Sequence, residues 1–232
     1  MEQRKQSSRA FELLKGLPLL RELRPQDLDA LAGETLLENL PAGRAIFYQG
    51  DPCERVYVVS SGRVKIVYHD RDAREVILEI IAPGEMFGGA VLFFPSHPAT
   101  AMTMEDSSIA SFSADAYSRH LLNNPPVILN ILRMLGARHL SMINMQIMAG
   151  ERVERRMAHI LIKLAARSGR LTPQGTLITI SLSRQDLAEM ACTTLETSIR
   201  TISRFQKEGL VSTQRGGYIL VHDLAHMEEM AG

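Results

Sequence analysis

The 232-residue chain carries 26 Lys and Arg against 26 Asp and Glu, so it is no obvious polyanion binder taken whole, and its length suits two domains, each with its own core. Its two cysteines, Cys53 and Cys192, lie far apart without CxxC or Cys/His spacing, which excludes a disulfide scaffold and a zinc site and fits a reducing compartment. No apolar run is long enough to span a bilayer, and the opening MEQRKQSSRAFELLKG has no apolar signal core, so a soluble, cytoplasmic protein with no membrane partner is expected.

From about Ser7 to Ala32, leucines at helical spacing are broken by Pro18 and Pro25, which predicts two short capping helices. From Leu36 the pattern turns β-rich, punctuated at Gly43, Gly50, Gly62 and Gly84. Ile46–Tyr48, Val56–Ser60, Val64–Tyr68, Val76–Ile81 and Ser108–Ser113 read as strands of a small antiparallel barrel, closed on itself and roomy enough for a ligand, with a hairpin turn at Ser61-Gly62.

Pro125-Pro126 suits a helix start. From Val127 to about Ala149, Ile128, Ile131, Leu135, Met142 and Met145 form a coiled-coil-like seam. A parallel homodimer helix explains it, and burial within one chain explains it almost as well. Beyond Gly150, Arg152–Arg167 reads as an amphipathic helix with Val153, Met157, Ile160, Leu161 and Leu164 inward and Arg155, Arg156 and Lys163 outward. Thr172–Leu182 reads as turn plus strand.

The stretch Ser183–Lys207 then reads as two short helices joined by a tight turn, with Cys192 expected to be small and buried there. At 100° per residue, Leu195, Ile199, Ile202 and Phe205 share one arc, opposite Glu196, Thr197, Arg200, Ser203, Arg204 and Lys207. An arginine can grip guanine and a carboxylate can accept from cytosine, so the polar face suits a DNA major groove. Equally, Glu196 and Arg200 fit an i,i+4 ion pair, and Thr193 with Glu196 fits a capping box. Gly209 ends the second helix. Val211–Val221 reads as a hairpin with a Gly216-Gly217 turn, a wing that sets Arg215 where it can touch phosphate. Between Arg152 and Arg215 eleven Lys and Arg face five Asp and Glu, a local net charge of +6. A phosphate-cradling Gly loop before a helix, HExxH and GxSxG are all missing, so an enzyme is disfavoured.

Four strings in this order, GRAIFYQGDPCERVYVVSSGRVKIVY, PGEMFGGAVLF, HPATAMT and LSRQDLAEMACTTLETSIRTISRFQKEGLV, resemble the cyclic-AMP receptor protein/fumarate and nitrate reduction regulator (CRP/FNR) family over nearly the full chain. The resemblance implies an α+β fold: an antiparallel, cyclic-nucleotide-binding-like β-roll sensor at 1–125, a dimerisation helix at 126–150 and a winged helix-turn-helix at 151–232. It also implies a homodimeric transcription regulator on palindromic double-stranded DNA, working with RNA polymerase under a small-molecule or gas effector.

The family's Glu-x-x-x-Arg signature falls on Glu196 and Arg200, with Leu195 and Ile199 where its best-known branches carry Arg and Ser. Expected DNA contacts are Glu196, Arg200, Thr194, Thr197, Arg204, Ser183, Arg184 and Arg215, with Ser183 capping the first helix and its N-terminus open to a phosphate. The effector pocket is expected at Phe87, Gly88, Gly89, Ala90, His97, Pro98, Ala99 and Thr100, with Ser141 and Met142 of the dimer helix facing it. Gly89 stands where cyclic-nucleotide binders carry a Glu, and His97 where they carry an Arg, so both polar anchors are missing and cyclic AMP is disfavoured as effector. Two cysteines cannot hold an iron–sulfur cluster, whereas His69, His97, His120, His139 and His159 leave haem-based gas sensing open, and Cys53 a redox switch. The alternatives are a cyclic-nucleotide-dependent regulator and a ligand-binding regulatory protein that uses its winged helix for protein contacts.

Overall fold

A computed structural model describes residues 2–70, 75–89, 94–121, 123–148 and 150–232, without the side chains of 2–5, 138, 139 and 141–148. The chain divides into two compact units, 1–138 and 139–232.

The first unit opens with α1 (Glu2–Lys15), a 3-10 turn (Pro18–Leu20) and α2 (Pro25–Gly33). Pro18 and Pro25 each sit at the start of an element, where a missing N–H costs nothing. Eight strands follow: β1 (Leu36–Leu40), β2 (Ala45–Phe47), β3 (Arg55–Ser61), β4 (Val64–His69), β5 (Glu75–Ile81), β6 (Met86–Phe87), β7 (Thr100–Thr103) and β8 (Ser107–Ser113). They form two antiparallel four-stranded sheets in the orders β1-β8-β3-β6 and β2-β7-β4-β5. Among the described residues, no strand pairing joins the two sheets, so the unit is a two-sheet roll rather than the closed barrel expected.

The hairpin expected at Ser61-Gly62 is a crossover between sheets. β3 pairs with β6 and β8, whereas β4 pairs with β5 and β7. Gly62 adopts φ 79° there, and a Cβ on it would lie 2.7 Å from both Asp106 O and Ser107 Cα. Period-two alternation then sorts the side chains. Val56, Val58, Ala110 and Phe112 face one way, into a core shared with Leu14, Leu17, Leu20, Leu28 and Leu31 of the N-terminal helices. Val59 and Ile109 face the other way, against Phe47, Val64, Ile81, Phe87 and Ala101 between the sheets.

A helix not expected from the sequence, α3 (Ala114–Leu121), carries Tyr117 and Leu121 into the first core. Glu34, just beyond α2, accepts from both terminal nitrogens of Arg119 on α3, at 2.8 and 3.3 Å, and lies 3.2 Å from His120 Nε2. Next comes α4 (Pro125–Met148), close to the helix expected. Its seam differs, because Val127 and Ile131 are buried in the first unit's own core. Among the described side chains the exposed large apolar residues of α4 are Leu129, Leu132, Leu135 and Leu140, while Met142 and Met145 of the expected seam lie outside them. At 100° per residue Val127 and Ile131 oppose Leu129 and Leu140, so Ile131 cannot belong to an outward seam.

The second unit contains α5 (Val153–Ser168), β9 (Gly169–Thr172), β10 (Gly175–Ile178), α6 (Arg184–Met190), α7 (Leu195–Lys207), β11 (Val211–Thr213), β12 (Ile219–Val221) and α8 (Leu224–Ala231). The strands form one sheet in the order β11-β12-β10-β9. Met157, Ala158, Leu161, Leu164 and Ala165 form the buried face of α5, with Ala158 and Ala165 in place of the expected Val153 and Ile160, which are half-buried. The wing is as expected: β11 and β12 pair antiparallel across Gly216 and Gly217, at φ 88° and 82°. Strand β9 and helix α8 carry too little periodicity in sequence to have been anticipated.

Candidate nucleic-acid interface and sensor interior

The helix-turn-helix is locked by local hydrogen bonds. At the start of α6 the Ser183 hydroxyl accepts from the Asp186 N–H at 2.9 Å, while the Asp186 carboxylate accepts from the Ser183 N–H at 2.9 Å, a complete capping box. Ser183 is therefore the cap expected, its hydroxyl also donating to that carboxylate at 2.6 Å. Helix α7 is capped by Thr194, whose Oγ1 accepts from the Thr197 N–H at 3.2 Å, and not by the Thr193–Glu196 pair expected.

The turn between these helices holds Cys192 at φ 47°, the one positive-φ residue other than glycine among those described. Cys192 is exposed, not the small buried residue expected. Arg156, expected on an outward face, instead pins this turn. It donates from Nε to Ala191 O at 2.9 Å, from one terminal nitrogen to Cys192 O at 3.3 Å and from the other to Glu151 O at 2.8 Å. Sequence reasoning missed it, since a long-range side-chain bond to backbone leaves no periodic trace.

Helix α7 buries Ser198, Thr201, Ile202 and Phe205. Leu195 and Ile199, expected on that packed arc, are each 44% exposed. The buried residues span about 100° at 100° per residue, and Leu195 and Ile199 fall just outside that span, beside Glu196 and Arg200. The Glu196–Arg200 ion pair that the spacing also allowed is not formed. Among the described residues the Glu196 carboxylate has no partner, and Arg200 reaches only Thr197 Oγ1, at 3.5 Å. Both side chains are exposed.

The remaining DNA candidates divide. Arg215 is exposed on the wing. Arg184 is half-buried and donates to Thr213 Oγ1 at 2.8 Å, tying α6 to β11. Arg204 donates to Glu208 at 2.8 Å and lies 3.8 Å from Glu154, and its bond to Glu208 raises its already high pKa. Thr194 and Thr197 are joined by a 2.9 Å hydroxyl contact. Thus, among the described residues, Glu196 and Arg215 present free polar groups and Arg200 a nearly free one, while Arg184 and Arg204 are bound within the unit.

In the sensor, the expected residues gather around β2 and the turn after it. Phe87 is 6.2 Å from Phe47, between centroids, and His97 lies flat on Phe47 at 3.6 Å and 9°. The His97 backbone bonds Gly50 N and Asp51 O, both at 2.8 Å, and Thr100 Oγ1 accepts from the Gln49 N–H at 3.0 Å. Ala99 is buried and Pro98 exposed. Gly88 abuts Tyr57: a Cβ would lie 2.8 Å from its ring. Gly89 is described, Ala90 lies outside the described residues, and so do the side chains of Ser141 and Met142. Phe47 and Tyr57, with rings 5.4 Å apart, pack beside these residues and were not foreseen there, although both lay in expected strands.

His97 is 3% exposed, and burial pushes its imidazole pKa down, so it is neutral at pH 7. It cannot replace a guanidinium as a cationic phosphate anchor. His69 and His120 place Nε2 at 3.3 and 3.2 Å from Glu75 and Glu34, and the side chain of His139 lies outside the described residues. Burial also pushes the Cys53 thiol up, away from the reactive thiolate. Among the described residues no three His, Cys, Asp or Glu side chains gather as a metal site, and no helix is long and apolar enough to cross a membrane.

Comparison with known proteins follows the same division. Residues 37–124 match the cyclic nucleotide-binding domain family, and residues 155–230 match the Crp-like helix-turn-helix domain. The cyclic AMP receptor protein of Thermus thermophilus is 29% identical over 221 residues, 94% of this chain and 98% of its own. The sensor domain of the transcriptional regulator DNR from Pseudomonas aeruginosa is 33% identical, with a TM-score of 0.53 over 60% of this chain and 93% of that one. FixK2 from Bradyrhizobium japonicum has the same fold, with a TM-score of 0.76 at 20% identity over 85% of this chain and 98% of its own. The two family models, with these relatives, place the chain in the CRP/FNR family of transcription regulators, which are DNA-binding proteins and not enzymes.

Proposed function

We propose that the chain is a homodimeric regulator whose α7 reads a G·C pair in each half of a palindromic promoter site, under control of an effector other than cyclic AMP. The observation that carries the reading is the unpartnered, exposed Glu196 beside a nearly free Arg200, on a helix whose buried arc is already complete. A private ion pair would have consumed both groups. Arginine grips the O6 and N7 of guanine, and a carboxylate accepts from the amino group of cytosine. The surrounding +6 charge and Arg215 on the wing supply phosphate contacts.

Dimerisation is supported by α4. Leu129, Leu132, Leu135 and Leu140 are 53%, 57%, 39% and 63% exposed, an apolar stripe left uncovered by the chain's own core. A second copy packed on that stripe makes a parallel helix pair, and a two-fold dimer matches an inverted-repeat site. The first half of α4 packs in the sensor core and the second half belongs to the reader unit, so this helix is the covalent route between them.

Against cyclic AMP stand Gly89, which offers no carboxylate for a ribose, and His97, which is neutral and stacked. The cyclic-AMP-responsive alternative is favoured by the named Thermus relative. Calorimetric titration of the full chain with cyclic AMP separates the two: no heat is expected, and saturable binding at one nucleotide per chain would reinstate that effector.

The test of DNA reading is Arg200→Ala. Footprints on the cognate promoter should vanish while sedimentation still shows two copies per particle. An unchanged footprint would remove Arg200 from the reading head.

A further inference from the structure

We infer that Leu195 and Ile199 read the C5-methyl groups of thymines flanking the base pair addressed by Glu196 and Arg200, an inference that rests on the DNA-reading role proposed above. A single exposed leucine on a protein surface needs no explanation. Here two large apolar side chains, each 44% exposed, stand four residues apart, and neither is needed by the helix's own core of Ser198, Thr201, Ile202 and Phe205. They form a row parallel to Glu196 and Arg200, offset by one residue, or about 100° around the axis.

The Thr194 cap makes Leu195 and Glu196 the first two residues of α7. The first residues of a recognition helix are the ones that meet base edges. In the major groove, the thymine methyl is the apolar feature that a leucine or isoleucine side chain can match. Leu195 and Ile199 are separated along the axis by about 6 Å, four residues at about 1.5 Å each. That separation lets the two side chains reach different base pairs of one half-site. The apolar row thus gives the reader a second, methyl-dependent specificity beside the hydrogen-bonded one.

The experiment starts from duplexes enriched from a random library by the full chain. Each thymine of the enriched half-site is replaced singly by deoxyuridine, which removes only the methyl. Affinity of the wild type should fall about fourfold at one or two thymines beside the Glu196/Arg200 base pair, the effect of one buried methyl. With Leu195→Ala or Ile199→Ala, the same replacement should change nothing at the corresponding position. Both variants alter exposed positions and should keep the wild-type circular dichroism. Specific binding indifferent to every methyl would overturn the inference and leave DNA reading intact. Methyl sensitivity that persists unchanged in both variants would overturn it too. Failure of the full chain to enrich any sequence would overturn the reading of α7 itself, and this inference with it.

Discussion

Gly62→Ala tests the crossover between the two sheets of the sensor. Two costs add. An alanine held at φ 79° is in the left-handed region, which costs an L-residue about 1–2 kcal/mol. Its Cβ would also meet Ser107 Oγ and stand 2.7 Å from the Asp106 carbonyl oxygen and from Ser107 Cα. The serine hydroxyl cannot simply turn away, because it donates to Glu105 O at 2.7 Å and accepts from the Arg63 N–H at 3.2 Å. Relief therefore requires a backbone shift, about 1–3 kcal/mol by analogy with overpacked cores. Reduced freedom of the unfolded chain returns roughly 0.4–1 kcal/mol. The net loss should be about 2–4 kcal/mol, a large fraction of a typical domain's stability.

Gly43→Ala is the matched control: φ is 74°, yet nothing lies within 4 Å of the added carbon, so only the backbone cost of about 1 kcal/mol applies. Four of the five tyrosines, Tyr48, Tyr57, Tyr68 and Tyr117, lie in the first unit, so tyrosine fluorescence during urea unfolding reports on that unit. Equal losses in the two variants would refute the close approach of Gly62 to β8, and with it the crossover drawn there.

Other consequences can be measured independently. Because burial lowers the His97 pKa, the unfolded chain takes up a proton there first as pH falls below about 6.5, so stability present above that pH is lost on the way down to the folded pKa. His97→Phe should therefore lessen the drop in melting temperature between about pH 7.5 and about pH 5.5, and an identical drop in wild type and variant would contradict the buried, neutral imidazole. Thr194→Ala removes the α7 cap and should cost about 1 kcal/mol, seen as faster amide exchange in the first turn of α7; unchanged exchange would move the cap elsewhere. The double variant Leu129→Glu, Leu132→Glu should sediment as a single chain with unaltered circular dichroism, since both positions are exposed, whereas a persistent dimer would show that the pairing face lies off this stripe.

Much of this fold was legible because its signals are local. Alternation in Val56–Ser60 and Ser108–Ser113 marked strands β3 and β8, prolines marked the starts of α2 and α4, and Gly216-Gly217 marked the wing. What pairs with what was not local. The Ser61-Gly62 turn looks like a hairpin because its chemistry is that of a tight turn, and only the sheet pairing shows it crossing between layers.

The same limit governed α7. Helical angle separates two faces, yet where the core ends along the arc is set by the neighbouring elements, and they leave Leu195 and Ile199 outside. On α4, the sequence carried two apolar faces, and tertiary packing decided that Val127 and Ile131 turn inward and the leucines outward. Glu196 and Arg200 were visible from spacing alone, but whether they pair privately was not, since that depends on rotamers. Arg156 as the pin of the turn was invisible, its partners being backbone carbonyls 35 and 36 residues away.

The most direct test is the affinity of the full chain for an enriched duplex, compared with the same duplex carrying the read G·C pair inverted, for wild type and Arg200→Ala. The wild type should lose about fivefold to 150-fold on inversion, the range of a bidentate base contact of about 1–3 kcal/mol. Arg200→Ala should bind the original duplex weakly and lose most of that preference, keeping only what Glu196 contributes. Equal affinity of the wild type for the two duplexes, or an undiminished preference in the variant, would contradict a reading head built on Arg200.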